Sequence, residues 1–418
     1  MREADAVRIQ VGRQVAHWRA ASDALADLDS FASPSAWAEL ERQLDTRIRS
    51  SLEAAVARLR REMAVLDARL AAAEGERELE TLRRDVVAFR KRFLLVEDVL
   101  EFYGDAVNSR TTPKLAAELR ACDELARLAL ESVLSPIGLP VPPVLCFVHK
   151  GLGASILRAS QRLWDGVTLN PAAVVKVTRH NLCHPTAVLH EAGHQAAAET
   201  GWAEELAGVF EHRLSELSRD LAAVWASWTT EIVADVFAFV HSGYGSVAGL
   251  HDVVAGDQQA VFRFAPGDPH PIAYLRVLLG TELCTRSFGM GPWDELARAW
   301  TVAHPLADAP PALRSFLRAS LDRLPHIAEL CLRTPLRAFR GRAIVDLVDP
   351  RRVSPAELAA LERRVGPVTL ASPHWLRTEG IRLLALSSYR AAEARGKGSE
   401  VRCEAWLTQL GGGLRAAA

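Results

Sequence analysis

Apolar residues recur at alternating steps of four and three positions along two stretches of this chain, and this spacing constrains the fold more than any other feature. The first stretch runs from Leu52 to Ala73 and the second from Leu79 to Tyr103. Such a period places one apolar stripe along a helix, so each stretch predicts a long amphipathic helix. The phase breaks around Gly75, which predicts an antiparallel helical hairpin with coiled-coil-like packing rather than one continuous rod.

Helical periodicity also dominates most of the remaining chain. A helix is predicted over residues 111–134, and a Pro-rich connection follows it. Three short segments rich in β-branched residues then predict strands: VLCFVHK (144–150), GVTLN (166–170) and AAVVKVTRH (172–180). Helical patterns return afterwards and end in GGGLRAAA, whose composition predicts a frayed terminus. The expected fold class is therefore mainly α with a small β-sheet.

The amino-acid composition argues against some classes of binding partner. The 50 basic residues nearly balance the 51 acidic ones, so no strong field favours nucleic acid or an anionic membrane surface. No apolar run reaches the ~18 residues of a membrane span, and the first residues lack the apolar core of a signal peptide. The six cysteines form no C-x-x-C pair, which is typical of neither a disulfide scaffold nor a thiolate zinc site. We therefore expect a cytoplasmic protein that binds no nucleic acid and has no membrane span.

The segment HEAGH places His190 and His194 four positions apart on a predicted helix, which Pro185 and Gly201 bracket. Residues four apart lie on one helical face, so two imidazoles can reach one zinc ion at ~2.0–2.1 Å. Glu191 lies beside them, and its carboxylate can accept a proton from water that the metal activates. The segment predicts a zinc site with an adjacent general base.

The third zinc ligand is less constrained by spacing. Glu211 and His212 are available, but the predicted helix WTTEIVADVFAF offers Glu231 with Asp235 one turn later. In that arrangement the first carboxylate can bind the metal, while the second accepts the outer N–H of a ligand histidine. Glu231 is therefore the preferred third ligand, with Glu211 or His212 as alternatives.

Three elements in order, HEAGH, EIVAD and DPHPIAYLR, resemble the gluzincin zinc metallopeptidases. The motif is most similar to the CAAX-prenyl-protease and heat-shock membrane-protease group, which has a later His-Pro with an Arg six residues after the His. His270, Pro271 and Arg276 reproduce that spacing. The chain departs from the group because it lacks membrane helices, so a membrane-embedded or prenylated substrate is not implied.

The resemblance covers about a third of the chain, between residues 140 and 280, and implies a role for each matching residue. It implies zinc as cofactor, held by His190, His194 and Glu231, with Glu191 as general base, Asp235 as partner of a ligand histidine, and His270 or Arg276 near the developing oxyanion. It also implies that the strand before the motif helix lies at a sheet edge and binds substrate as an added strand.

These observations predict three regions: a helical region with the hairpin (1–110), a zincin-like metallopeptidase domain (111–290) and a C-terminal helical region (291–418). The expected function is zinc-dependent endopeptidase activity on a protein or peptide substrate. The hairpin is the candidate surface for a partner or for self-association. The alternative is a catalytically silent zinc-binding scaffold on a peptidase-like fold. The presence of Glu191 favours the enzyme, because a silent scaffold can lose this residue without losing metal.

Overall fold

The computed structural model of the chain describes residues 3–44, 46–151, 153–160, 169–216, 218–393 and 403–417. It is mainly α-helical with one small β-sheet, which confirms the expected fold class. The chain divides into two compact units, the first formed by residues 1–112 and 157–174, and the second by residues 113–156 and 175–417. The three-region division drawn from the sequence stays a prediction.

The first unit contains the predicted helical hairpin. Its helices are α1 (Glu3–Ala24), α2 (Pro34–Leu44), α3 (Ile48–Ala72) and α4 (Glu76–Asn108). Helices α3 and α4 are the two helices predicted from the apolar spacing, Gly75 lies between them, and α1 packs against both. The stripe is buried, since Leu52 and Phe89 are both 0% exposed. Burial of this stripe, rather than helix propensity alone, stabilises such helices.

The second unit contains the remaining helices. They are α5 (Pro113–Leu134), α6 (Ala187–Thr200), α7 (Trp202–Ser215), α8 (Arg219–Ser227), α9 (Thr229–Ser242), α10 (Tyr244–Val254), α11 (Gln258–Val261), α12 (Ala273–Phe288), α13 (Pro292–Ala303), α14 (Arg314–Leu321), α15 (Leu324–Arg333), α16 (Ile344–Leu347), α17 (Pro355–Glu362), α18 (Pro367–Leu370), α19 (Pro373–Glu393) and α20 (Cys403–Ala417). Helix α6 carries HEAGH and packs against α9, which carries Glu231 and Asp235. Helix α9 also contacts α12, which carries Arg276.

The described residues form one three-stranded sheet. Its strands are β1 (Val144–Val148), β2 (Ser155–Leu157) and β3 (Ala173–Val177), in the spatial order β1-β3-β2. Strands β1 and β3 confirm the first and third predicted strands. Residues 166–168 of the second predicted strand, GVTLN, lie outside the described residues.

The expectation that the strand before α6 lies at a sheet edge is wrong. Strand β3 is central, with β1 on one side and β2 on the other. Strand β2 is only three residues long, too short to show the alternating pattern that predicts a strand. Because both sides of β3 are paired, a substrate cannot add to it as a new strand.

The expected fraying of GGGLRAAA is wrong for residues 411–417, because they form the last turns of α20. Helix α20 packs against α5, and a side chain at position 411 would overlap the carbonyl group of Ala117. The Gly411 carbonyl accepts a hydrogen bond from Arg120 Nε at 2.9 Å. Glycine here allows direct backbone contact between two helices, a packing role that composition alone does not reveal.

Among the described residues, no single helix combines the length and the apolar character that a membrane span requires. One consecutive pair, α8 and α9, meets both requirements only when taken together, and the two helices are bent by 62°.

Candidate metal centre

Two histidines project from one face of α6. The helix begins at Ala187, two residues after Pro185, and ends before Gly201, whose φ of 72° is the left-handed conformation that favours glycine. His190 Nε2 and His194 Nε2 are 3.2 Å apart. Their side chains are 19% and 18% exposed, so one edge of the pair remains accessible.

Gly193, inside the HEAGH segment, permits close packing between α6 and α9. A Cβ atom at this position would lie 2.7 Å from Ala234 Cα and 2.9 Å from Phe237 Cβ, closer than carbon atoms approach without overlap. The absence of a side chain therefore lets α9 approach α6 directly beside the two histidines.

Glu231 on α9 completes a group of three donor residues. Its Oε2 lies 3.5 Å from His190 Nε2, and its Oε1 lies 3.4 Å from His194 Nε2. This His-His-Glu group could hold a metal ion, and within the described part of the chain it is the group that brings three such donors together. Glu211 and His212, the alternatives drawn from the sequence, lie exposed on α7 and outside this group.

The donor spacing fits zinc. A tetrahedral zinc site with bonds of ~2.0–2.1 Å places its donor atoms about 3.3–3.4 Å apart. The two imidazole nitrogens are 3.2 Å apart, and the two Glu231 oxygens face one ring each, with Oε2 3.5 Å from His190 Nε2 and Oε1 3.4 Å from His194 Nε2. Two imidazoles and one carboxylate also form a donor set that catalytic zinc sites use, with a fourth position left for water or substrate.

Asp235 orients one of the histidines. His190 Nδ1 donates to Asp235 Oδ1 at 2.9 Å, so the lone pair of the neutral ring lies on Nε2, facing His194 and Glu231. Burial opposes a charge on His190, but hydrogen bonds to Asp235 and Glu231 outweigh it and raise the pKa of His190 to about 9. The two carboxylates therefore favour a positive charge at this place, either a proton or a metal ion.

The other two donor residues, Glu231 and His194, have the protonation states that metal binding requires. Burial opposes ionisation of Glu231, but the hydrogen bond to His190 and the charge of Arg276 lower its pKa to about 2. Burial and the neighbouring charge of His190 lower the pKa of His194 to about 4. At neutral pH Glu231 is thus an anion and His194 a neutral imidazole, the forms that bind metal.

Glu191, the proposed general base, follows His190 on α6 and is 5% exposed. Burial raises its pKa to about 7, with the negative charge of Glu231 adding to the effect and the positive charges of His190, Arg276 and Lys176 opposing it. A carboxyl group with a pKa near neutrality can both accept and return a proton at neutral pH.

Arg276, in the first turn of α12, contacts both acidic residues of α9. Its Nε donates to Asp235 Oδ2 at 2.6 Å, and its Nη2 donates to Asp235 Oδ1 at 2.9 Å and to Glu231 Oε2 at 3.0 Å. The side chain is 8% exposed. The resemblance implies a place near the developing oxyanion, whereas the guanidinium lies on the two carboxylates.

His270 lies at the exposed side of the donor group. Its side chain is 58% exposed, and its Nε2 is 3.6 Å from Glu231 Oε1. Asp268 accepts hydrogen bonds from the His270 backbone N–H at 3.1 Å and from Nδ1 at 2.7 Å. The ring is therefore held with Nε2 turned toward Glu231.

Sequence reasoning missed three residues that shape this site, Gly193, Asp268 and Lys176. A glycine in the middle of a helical motif and an Asp two residues before a candidate site His are visible signals, since the first permits close packing and the second forms a local turn. Lys176 on β3 gives no such signal, because its nearness to Glu191 depends on how the strand and α6 pack.

No family model, no curated protein and no solved structure matches the chain. The fold and the site geometry define a mainly α-helical protein with a buried His-His-Glu group that could hold a metal ion. The gluzincin resemblance rests on the order and spacing of the three sequence elements.

Proposed function

We propose that the protein is a gluzincin-type zinc endopeptidase that hydrolyses peptide bonds in a protein or peptide substrate. One observation carries the proposal: His190 Nε2 and His194 Nε2 lie 3.2 Å apart, and one Glu231 oxygen faces each of them at 3.4–3.5 Å, so three zinc-type donors face one space. Asp235 and Arg276, from the second and third elements of the resemblance, lie within hydrogen-bonding distance of this group, which supports a common role.

Zinc bound there would supply Lewis acidity that polarises the scissile carbonyl and makes water a better nucleophile. Glu191 then acts as general base and accepts the proton of the attacking water. The same carboxyl group, 5% exposed and next to His190 on α6, then returns that proton to the leaving amine. One residue thus performs both proton transfers of peptide-bond hydrolysis.

His270 is the residue of this group that contacts the substrate. It is the most exposed of the four side chains His190, His194, Glu231 and His270, and Asp268 fixes its ring. A fixed imidazole at the open side can form a hydrogen bond to the polarised carbonyl group of a bound peptide.

We also infer a cytoplasmic site of action. Cysteines stay reduced in a reducing compartment, and the following cysteines form no disulfide bond: Cys122, Cys146, Cys183, Cys284 and Cys331. A partner or self-association surface on the α3–α4 hairpin stays a prediction.

Zinc content and cleavage of a peptide library, measured for the native chain and for Glu191→Gln, test the proposed function. We expect zinc in both proteins and cleavage by the native chain alone, because Gln keeps the size of Glu191 but cannot accept the proton. Zinc in both without cleavage in either would support the silent scaffold instead. Absence of zinc from the native chain would remove both interpretations.

A further inference from the structure

We propose that Arg276 is a positioning residue that holds Glu231 and Asp235, and through Asp235 also His190, in the arrangement that binds the metal. It contacts the ligands rather than the substrate. The inference deepens the proposed function and rests on it, since the metal in question is the zinc of that site.

The guanidinium of Arg276 contacts one of the three donor residues directly and is linked to a second through Asp235. Its Nε and Nη2 form a fork on the carboxylate of Asp235, and Nη2 also donates to Glu231. Asp235 in turn accepts from His190 Nδ1 at 2.9 Å. Glu231 is thus held directly by Arg276, and His190 is held through one intermediate carboxylate.

The negative charges of Glu231 and Asp235 give a second reason for a positioning role of Arg276. Glu231 and Asp235 lie one turn apart on α9 and are 9% and 16% exposed, so their like charges face each other with little water to screen them. The planar fork of Arg276 compensates both carboxylates and fixes their orientations. A lysine ammonium is a point charge and cannot form the same paired hydrogen bonds.

Burial argues against a direct contact between Arg276 and the substrate. The side chain is 8% exposed, compared with 58% for His270, and three hydrogen bonds to carboxylates already engage its Nε and Nη2. Moving the guanidinium toward a substrate carbonyl would leave two buried carboxylates without their cation, which is unfavourable.

The substitution Arg276→Lys tests this inference because it keeps the positive charge and removes the fork. We expect the affinity for Zn²⁺, measured by competition with a chelator, to fall by about 10–100-fold, the usual effect of losing an outer partner of metal ligands. The matched control is Arg286→Lys on the same helix, where the side chain is 41% exposed and pairs with Glu282.

Unchanged Zn²⁺ affinity in Arg276→Lys would overturn the inference, because that result places Arg276 outside the group that holds the metal. Failure of the native chain itself to bind Zn²⁺ or to cleave peptides would instead refute the proposed function, and this inference with it. Should Arg276→Lys not fold, the ¹⁵N signal of Arg276 Nε in the native protein provides the measurement. It should shift when Zn²⁺ binds and stay fixed when peptide is added to zinc-loaded Glu191→Gln, and movement with peptide would overturn the inference.

Discussion

At the scale of single residues, two of the three residues in the His-His-Glu group, His190 and Glu231, are held by a neighbour that is not itself a donor. Asp235 selects the tautomer of His190, and Arg276 holds the carboxylate of Glu231. Gly193 leaves the space in which α9 meets α6. The donor residues alone therefore do not specify the site.

The choice of Glu231 as third donor gives a residue-scale prediction. We expect Glu231→Ala to lower the affinity for Zn²⁺ by more than the ~10–100-fold that changes in outer partners cause, because it removes one of three donors. Metal titration with a colorimetric zinc chelator measures this effect. Glu211→Ala is the control, since Glu211 is exposed on α7, and equal loss of zinc in both variants would refute the assignment.

The sequence predicts which residues belong to the candidate site better than it predicts which of them contact each other. His190 and His194 are four apart on one helix, so local geometry brings them together. Arg276 is 41 residues from Asp235 and 45 from Glu231, and these contacts depend on the packing of α12 against α9. Spacing marked Arg276 as functional, but no local rule identifies its partners.

At the scale of elements, the site depends on how closely α6 and α9 approach each other. Helix pairs usually pack with axes about 8–10 Å apart, and small residues at the contact allow the lower end of this range. Gly193 is such a residue, and the Cα of Ala234 lies opposite it. The separation of the two helices sets the distances from His190 and His194 to Glu231.

We therefore expect Gly193→Ala to lower the free energy of unfolding by ~1–3 kcal/mol, the typical result of overpacking, and to weaken Zn²⁺ binding as well. Chemical denaturation and zinc titration measure the two effects. Gly208→Ala is a matched control on α7, where a Cβ atom would meet nothing within 4 Å. It should raise stability by ~0.5–1 kcal/mol through helix propensity. Equal behaviour of the two variants would contradict close packing at Gly193.

A second prediction concerns His241, a buried histidine near the end of α9. Its Nδ1 donates to the Phe237 carbonyl at 2.7 Å, and its Nε2 lies 2.8 Å from Ser132 Oγ on α5. Burial, together with the positive charge of Arg352, lowers the pKa of His241 from 6.5 to about 4. The folded protein therefore holds this ring neutral where the unfolded chain would protonate it.

Because the pKa is lower in the folded state, the stabilisation from His241 is complete above pH 6.5 and is lost as the pH falls toward 4. The loss amounts to about 3 kcal/mol over that interval. In His241→Asn, which keeps a side-chain N–H donor, we expect a smaller fall in stability between these pH values. Denaturation curves at several pH values measure the difference, and parallel pH profiles for the two proteins would refute the role of His241.

Helices were easier to predict than sheet order for a physical reason. The apolar stripes of α3 and α4 follow from a period of 3.6 residues that each helix carries within its own sequence. The central position of β3 depends instead on β2, a strand of three residues whose pairing is not written in a local pattern. An edge position for β3 was inferred by analogy, and the analogy failed there.

At the scale of the whole molecule, residues that lie far apart in the sequence are in contact. Arg120 on α5 and Gly411 on α20 are 291 residues apart and share a hydrogen bond, so the C-terminal helix completes packing that begins at α5. Closing a loop of this length costs conformational entropy, which the packing of α20 against α5 must offset. Composition suggested a frayed end because it contains no information on this partner.

We expect Gly411→Ala to destabilise the protein by at least ~1–3 kcal/mol, since its Cβ would overlap the carbonyl of Ala117 and force α20 away from α5. Gly412→Ala, the adjacent control, meets nothing within 4 Å and should leave stability the same or slightly higher. Thermal unfolding of the two variants measures the effect. A Gly411→Ala protein as stable as the native chain would show that α20 does not pack closely on α5.

X-ray absorption at the zinc edge of the native protein tests most directly whether His190, His194 and Glu231 form the zinc site. We predict bound zinc with nitrogen and oxygen neighbours at ~2.0–2.2 Å and the scattering pattern of two imidazoles. A sulfur neighbour at ~2.3 Å, a spectrum without two imidazoles, or the absence of bound zinc would contradict the assignment.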